Sequence, residues 1–114
     1  MNSDAVFLCD LDAIPNHQAK SFTLEINQQS ISLFVVRRDD KFFAYKNSCP
    51  HTGVELNWQA DQFLDLSNEY IQCAVHGARF RIEDGRCVWG PCLNQSLKSL
   101  SVKIENQRLM LFGT

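Results

Sequence analysis

Nothing in this 114-residue chain is apolar for long enough to cross a membrane as a helix: no run of about 18 apolar residues occurs. The first ten residues, Met-Asn-Ser-Asp-Ala-Val-Phe-Leu-Cys-Asp, have no positive region and no long apolar stretch, so no secretion signal is read there. Charge of one sign is also scarce. A net charge of −2 gives no reason to expect nucleic acid or an anionic membrane as a partner. No Gly-x-Gly-x-x-Gly occurs, so no nicotinamide or flavin site is expected. Internal repeats and low-complexity linkers are absent, and helical periodicity is scarce. What remains is ordinary for one globular domain over residues 1–114, with 45% apolar and 21% charged residues. Lacking export and membrane signals, the chain is expected in the cytoplasm, where thiols stay reduced. Its five cysteines, Cys9, Cys49, Cys73, Cys87 and Cys92, are odd in number. Both facts argue against a disulfide framework and favour metal where Cys and His cluster.

Short β-branched and apolar runs fill most of the chain. Ala5–Leu11 reads as a first strand. Ser21–Ile26, Ile31–Arg37 and Phe42–Lys46 follow, joined by Asn27-Gln28-Gln29 and Asp39-Asp40-Lys41, and read as hairpins. Tyr70–Gln72 is a short run ending at Cys73. Phe80–Ile82 and Cys87–Trp89 flank Glu83-Asp84-Gly85-Arg86, in which Asp-Gly is a strong hairpin signal. Ser99–Ile104 and Arg108–Phe112 make the last hairpin. The best helical candidate is Ile14–Lys20, with Pro15 as its start. The segment Glu55–Asn68 reads either as a loop with a small hairpin or as a helical turn. Many short strands with turns between them predict an all-β fold, a small antiparallel sandwich or barrel.

Two segments interrupt the strands: Cys49-Pro50-His51-Thr52-Gly53 and Cys73-Ala74-Val75-His76-Gly77. Each offers one thiolate and one imidazole in a tight loop. A glycine after each histidine allows the backbone to bend, and Pro50 stiffens the first loop. Two Cys and two His suit a tetrahedral structural zinc. They equally suit a two-iron, two-sulfur centre with two cysteines on one iron and two histidines on the other. Ligand type alone does not decide. The order does bear on it: zinc fingers place Cys-Cys before His-His, whereas here each loop pairs one of each. That interleaving fits a centre straddled by two loops.

The two segments resemble the signature of the Rieske 2Fe–2S domain. The similarity continues through Ala78-Arg79-Phe80 and Arg81-Ile82-Glu83-Asp84-Gly85, like the hairpin that follows the family's second ligand loop. Gly90-Pro91-Cys92 sits where the family has a proline-containing loop covering the cluster. The resemblance spans roughly Phe42 to Phe112. It implies one 2Fe–2S cluster held by Cys49, His51, Cys73 and His76, in a cluster-binding subdomain formed by two loops over about residues 46–92. It also implies an antiparallel β fold and histidines near the electron-exchanging surface.

Two departures from the cytochrome-complex members matter. Those proteins carry an extra cysteine in each ligand loop, whereas Val54 and Ala74-Val75 leave none here. They also place a serine two residues after the second histidine, where this chain has Ala78. Fewer hydrogen bonds to the sulfurs predict a potential in the lower part of the Rieske range of about −150 to +300 mV. Loss of protons from the imidazoles of the oxidised form predicts a further fall at high pH.

The expected function is a soluble electron carrier, not an enzyme. It would shuttle single electrons between a reductase and an oxygenase or another redox enzyme. The only spare histidine, His17, cannot build a second iron site of two histidines and a carboxylate. The alternatives are a redox- or iron-sensing module, a small subunit of a larger reductase, and a structural zinc domain. Other residues get plainer readings: Cys9 and Trp89 in the core, His17 on the surface, and Cys87 and Cys92 as ordinary reduced thiols. Arg79 is read as solvated or facing a partner. Glu55, Asp61, Asp65 and Glu69 are read as a solvated face, and Trp58 and Phe63 as packing or docking groups.

Overall fold

The computed structural model describes residues 5–26, 28–50, 55–57, 62–65, 67–73 and 77–112. The described residues hold nine strands and no α-helix. These are β1 (Val6–Asp10), β2 (Ala19–Ile26), β3 (Gln29–Arg38), β4 (Lys41–Lys46), β5 (Tyr70–Gln72), β6 (Arg79–Arg81), β7 (Cys87–Trp89), β8 (Ser99–Glu105) and β9 (Arg108–Phe112). Six form an antiparallel sheet in the order β1-β9-β8-β4-β3-β2, and three form a small sheet in the order β5-β6-β7. The all-β expectation holds, and most strand limits fall within one or two residues of the sequence reading.

The large sheet follows from local chemistry. β2, β3 and β4 are successive hairpins, with Ala19 opposite Val36 and Arg38 opposite Lys41. Asp39 takes φ +57° at the second turn, a conformation that Asp tolerates. β8 and β9 meet across Asn106 and Gln107, at φ +53° and +65°, the two positive values of a tight hairpin. A bulge between Phe7 and Cys9 bends β1 along β9. Arg37 ties the β1–β2 connection to β3. Its Nη1 donates to the carbonyls of Leu11 at 3.3 Å and Ile14 at 3.1 Å.

Alternation sorts side chains between two apolar clusters. Leu33, Val35 and Ala44 join Cys9, Ile14, Leu109 and Leu111 inside the large sheet. Phe34, Val36 and Tyr45 point the other way, toward the small sheet, and join Phe63, Ile71, Phe80 and Ile82. β3 is therefore a wall between two cores, which is why Leu33-Phe34-Val35-Val36 is apolar without a break.

The Ile14–Lys20 helix does not form. A single 3-10 turn occupies Leu11–Ala13, and Ala19 and Lys20 already pair with Val36 and Val35. A few residues of helical propensity cannot outweigh ladder bonds to a fully buried strand. Trp89 is also not core. It lies 60% exposed on β7, an edge strand whose outer face no element covers among the described residues. Its ring packs near Gly77 and takes the Arg79 guanidinium at 5.8 Å from its centroid. Cys9 is buried in the large core, as expected, and the His17 side chain is half exposed.

The small sheet arises within the connection from β4 to β8. The two ends of that connection meet: Lys46 N–H donates to the Lys98 carbonyl at 2.9 Å, and Tyr45 lies opposite Ser99. Residues 58–61 and 66 of the Glu55–Asn68 segment lie outside the described residues, and its described residues 62–65 run antiparallel to β5. Leu64 bridges Ile71, with Gln72 N–H donating to Phe63 O and Asp65 N–H to Tyr70 O.

Candidate metal centre

Cys49 follows β4 by three residues and Cys73 follows β5 by one. Both thiols are buried, and both belong to the apolar cluster that Phe34 and Tyr45 face. His51 and His76 lie outside the described residues, as do Thr52, Gly53, Val54, Trp58, Asp61, Ala74 and Val75. The structure therefore brings the two predicted cysteines into one core and leaves the two histidines to sequence argument. Among the described residues no three metal-binding side chains converge on one point.

The first loop is clamped at its base by Asn47, which sequence reasoning missed. Asn47 Oδ1 accepts the Leu56 N–H at 2.8 Å, and its Nδ2 donates to Asn57 Oδ1 at 2.8 Å. Its own N–H donates to Ser32 O on β3. One buried amide thus holds both ends of residues 47–57 against the large sheet. An Asn just past a strand is a turn signal, but nothing local reveals partners nine and ten residues away.

The second loop is held by its own backbone. Cys73 N–H donates to Ala78 O at 2.8 Å, and Gly77 N–H donates to Cys73 O at 2.8 Å. Gly77 sits at φ +70°, which a side chain rarely adopts. Across it comes Gly90, at φ +110°, where a Cβ would lie 2.8 Å from the Ala78 Cα. Gly90 is thus required so that the segment after β7 can lie on the Cys73 loop. This lays Gly90 against Ala78, at the end of the second loop.

The surrounding framework joins this region to the large sheet. Tyr45 on β4 donates its hydroxyl to Ile82 O at 2.6 Å in a buried bond. Gly85, at φ +72°, leaves room for the Tyr45 ring, which a Cβ would meet at 2.7 Å. Phe63 stacks on Phe34 with centroids 4.3 Å apart and planes 11° apart. Phe63 is thus a packing group. Asp65 is likewise not a solvated acid. It is buried, and its Oδ1 accepts from Ser67, Glu69 N–H and Tyr70 N–H, shaping the turn into β5. Glu55 and Glu69 are exposed.

Cys87 and Cys92 belong to the same cluster and are both buried. The Cys92 thiol donates to Cys87 Sγ at 3.0 Å, and the Cys87 thiol to Trp89 O at 3.3 Å. Burial, then the Cys87 sulfur, then the charge of Cys49 push the Cys92 pKa up to about 12. Cys92 is therefore a neutral thiol near Cys49.

The donor chemistry fits an iron–sulfur centre. Two buried thiols, Cys49 beyond β4 and Cys73 beyond β5, share one apolar core, and soft thiolates select iron–sulfur clusters and zinc over hard cations. Gly77, at φ +70°, lets the backbone after the second thiol turn back, so that its N–H reaches the Cys73 carbonyl.

Residues 4–108 match the Rieske [2Fe-2S] domain family. The chain is 32% identical over 101 residues to the ferredoxin component of the naphthalene 1,2-dioxygenase/salicylate 5-hydroxylase systems of Ralstonia sp., covering 89% of this chain and 88% of that one. It is 32% identical over 108 residues to the ferredoxin component of the naphthalene 1,2-dioxygenase system of Pseudomonas aeruginosa, covering 95% and 91%. In fold it is similar to the ferredoxin of carbazole 1,9a-dioxygenase from Nocardioides aromaticivorans IC177. The TM-score is 0.75 at 20% identity, over 98% of this chain and all of that one. The same fold recurs inside a longer chain, the terminal oxygenase of carbazole 1,9a-dioxygenase from Novosphingobium sp. KA1. There the TM-score is 0.74 at 19% identity, over 97% of this chain and 30% of that one.

Proposed function

Because this chain belongs to the Rieske [2Fe-2S] domain family and so carries one Rieske 2Fe–2S cluster, we propose that it is a ferredoxin that passes single electrons from a reductase to an oxygenase. The observation that carries this reading is length-matched similarity. The chain spans 88% and 91% of two relatives named as ferredoxin components, whereas it spans only 30% of an oxygenase that shares the fold. The residue inventory agrees, since His17 alone remains for any second iron site. The chain is then a carrier without a reaction of its own. Its partners are redox proteins, and its location is the cytoplasm, in keeping with five free thiols.

Cys49, His51, Cys73 and His76 are the proposed ligands, within one domain whose residues 46–92 form the cluster-binding part. When bound, the cluster supplies a one-electron couple whose reduced form is one charge more negative. Cys49 and Cys73 contribute thiolates from a core that excludes water. Asn47 and the Cys73–Ala78 backbone bonds hold those thiolates in place, so that little rearrangement accompanies electron transfer.

The test is electron paramagnetic resonance of the dithionite-reduced protein, with metal analysis. The expected result is iron at two atoms per chain and an average g value below that of an all-cysteine cluster, lost in Cys49→Ala and Cys73→Ala. A colourless protein with one zinc per chain overturns the reading. So does a normal cluster that no reductase reduces and that changes binding to a non-redox partner.

A further inference from the structure

We propose that Cys87 and Cys92 form a redox-active dithiol, which peroxide converts to a disulfide that clamps the segment over the second loop to strand β7. Neither residue is needed as a cluster ligand, so the inference goes beyond the carrier function.

The geometry is built for this bond. The sulfurs lie 3.0 Å apart, about 1 Å beyond a disulfide. The backbone already fixes the approach. Cys87 N–H donates to Gln95 O at 2.8 Å, and Gln95 N–H donates to Cys92 O at 2.9 Å. Both cysteines are thus tied to one residue from opposite sides. The turn between them is shaped by Gly90 at φ +110°, with Leu93 N–H donating to Gly90 O. The sulfurs have about 1 Å left to close, within a backbone register these bonds hold fixed.

The step balances with a peroxide as oxidant. One thiol sulfur attacks the O–O bond, giving a sulfenic acid and one water. The partner sulfur then displaces the hydroxyl, forming the S–S bond and releasing the second water. Two thiols lose two electrons and two protons, and the peroxide is reduced to two waters. Burial governs the first step, since both sulfurs are closed off from solvent and peroxide must reach them. The second step is intramolecular across 3.0 Å and fast by comparison. Slow formation and slow reduction follow, which gives a bond that lasts once made.

The consequence reaches the second loop. The disulfide removes both S–H donors, so Trp89 O loses its bond from Cys87. Trp89 packs against Gly77, and Gly90 lies on Ala78. The clamp therefore stiffens the segment that rests on the Cys73 loop.

The sequence makes the test simple. Cleavage after Arg86 and Lys98 releases Cys87–Lys98, which contains both cysteines and no other. Cluster-loaded protein is treated with graded hydrogen peroxide, its visible absorption recorded, and the denatured chain alkylated, digested and weighed. The expected result is a fragment lighter by two hydrogens than the dithiol and resistant to alkylation, formed while the visible absorption persists. Dithiothreitol then restores double alkylation. In Cys87→Ser, Cys92 is expected to stay alkylatable at the same dose. The proposal is overturned if the fragment remains doubly alkylatable, if the bond appears only after the visible absorption is lost, or if Cys92 becomes protected as fast in Cys87→Ser as in the native chain.

Discussion

The large and small sheets bury their residues by different means. The large sheet has strands of five to ten residues, continuous ladders and an apolar core supplied by every strand. The small sheet has three strands of three residues each. It has one face on the large sheet, and among the described residues its edges carry only the isolated bridges Leu64–Ile71 and Arg86–Ser96 with their backbone bonds. Three strands that short do not stand alone. They persist because β3 and β4 lend them Phe34, Val36 and Tyr45, and because four buried cysteines complete their core. The difference teaches that one region is a scaffold in its own right, whereas the other is specified by its neighbours and by the metal it holds.

The largest effect should come from removing a thiolate. Cys73→Ala is expected to abolish visible absorption. Hydrogen exchange should show Tyr70–Gln72 and Arg79–Arg81 unprotected while β3, β4, β8 and β9 stay protected. Uniform loss of protection would show one cooperative unit instead and break the comparison.

Next come two adjacent side chains on opposite faces of β3. Phe34→Ala should cost about 3–5 kcal/mol and Leu33→Ala about 2–5 kcal/mol in chemical denaturation. Only Phe34→Ala should also weaken the cluster signal, because Phe34 carries the Phe63 stack.

Tyr45→Phe should cost about 1–3 kcal/mol by leaving Ile82 O without its donor. It also has a pH signature. Burial, and after it Asp84 and Glu83, push the Tyr45 phenol well above its usual value near 10. The unfolded chain loses that proton near pH 10 while the folded chain keeps it. Stability from this group is full below about pH 10 and falls above it by about 1.4 kcal/mol per pH unit. Tyr45→Phe should flatten that fall, as urea titrations at pH 9 to 11 would show.

Ala78→Ser places a hydroxyl at a buried position at the end of the second loop, against Gly90. Voltammetry should find the native midpoint below zero, within the range of about −150 to +300 mV. The serine variant should sit higher, by an amount worth about 1 kcal/mol, the scale of one hydrogen bond. The smallest change is Arg38→Ala. It breaks the exposed 2.8 Å pair with Glu83 that links the two regions, and should cost about 0.2–1 kcal/mol.

The strands of both sheets were largely legible from the chain because they are short apolar runs bounded by turns that carry Asp, Asn and Gly. Tyr70–Gln72, Cys87–Trp89 and Arg108–Phe112 emerge with their limits unchanged. Three failures have one cause, which is that burial is set by neighbours distant in sequence. Trp89 reads as core until β7 proves to be an edge. Ile14–Lys20 reads as a helix until Ala19 and Lys20 find β3. Asp65 reads as a solvated acid until a turn folds around it. The ligand pairs were legible as a spacing pattern, and Cys49 and Cys73 do share a core. Asn47 and the Cys87–Cys92 contact were not legible, since each depends on a loop returning to its starting point.

The meeting of Lys46 with Lys98 makes residues 47–97 an excursion that departs and returns at one rung of the ladder. Entropy opposes such a closure, but only logarithmically in its length. The β4–β8 junction can therefore form late, after the local hairpins on either side of it. A tight turn from Lys46 to Lys98 should leave a six-stranded fold able to assemble without iron. Such a shortened chain would need polar replacements at Phe34, Val36, Phe43 and Tyr45, whose face the excursion now covers. The oxidation-reduction centre is thus a detachable cargo on a scaffold that folds for other reasons.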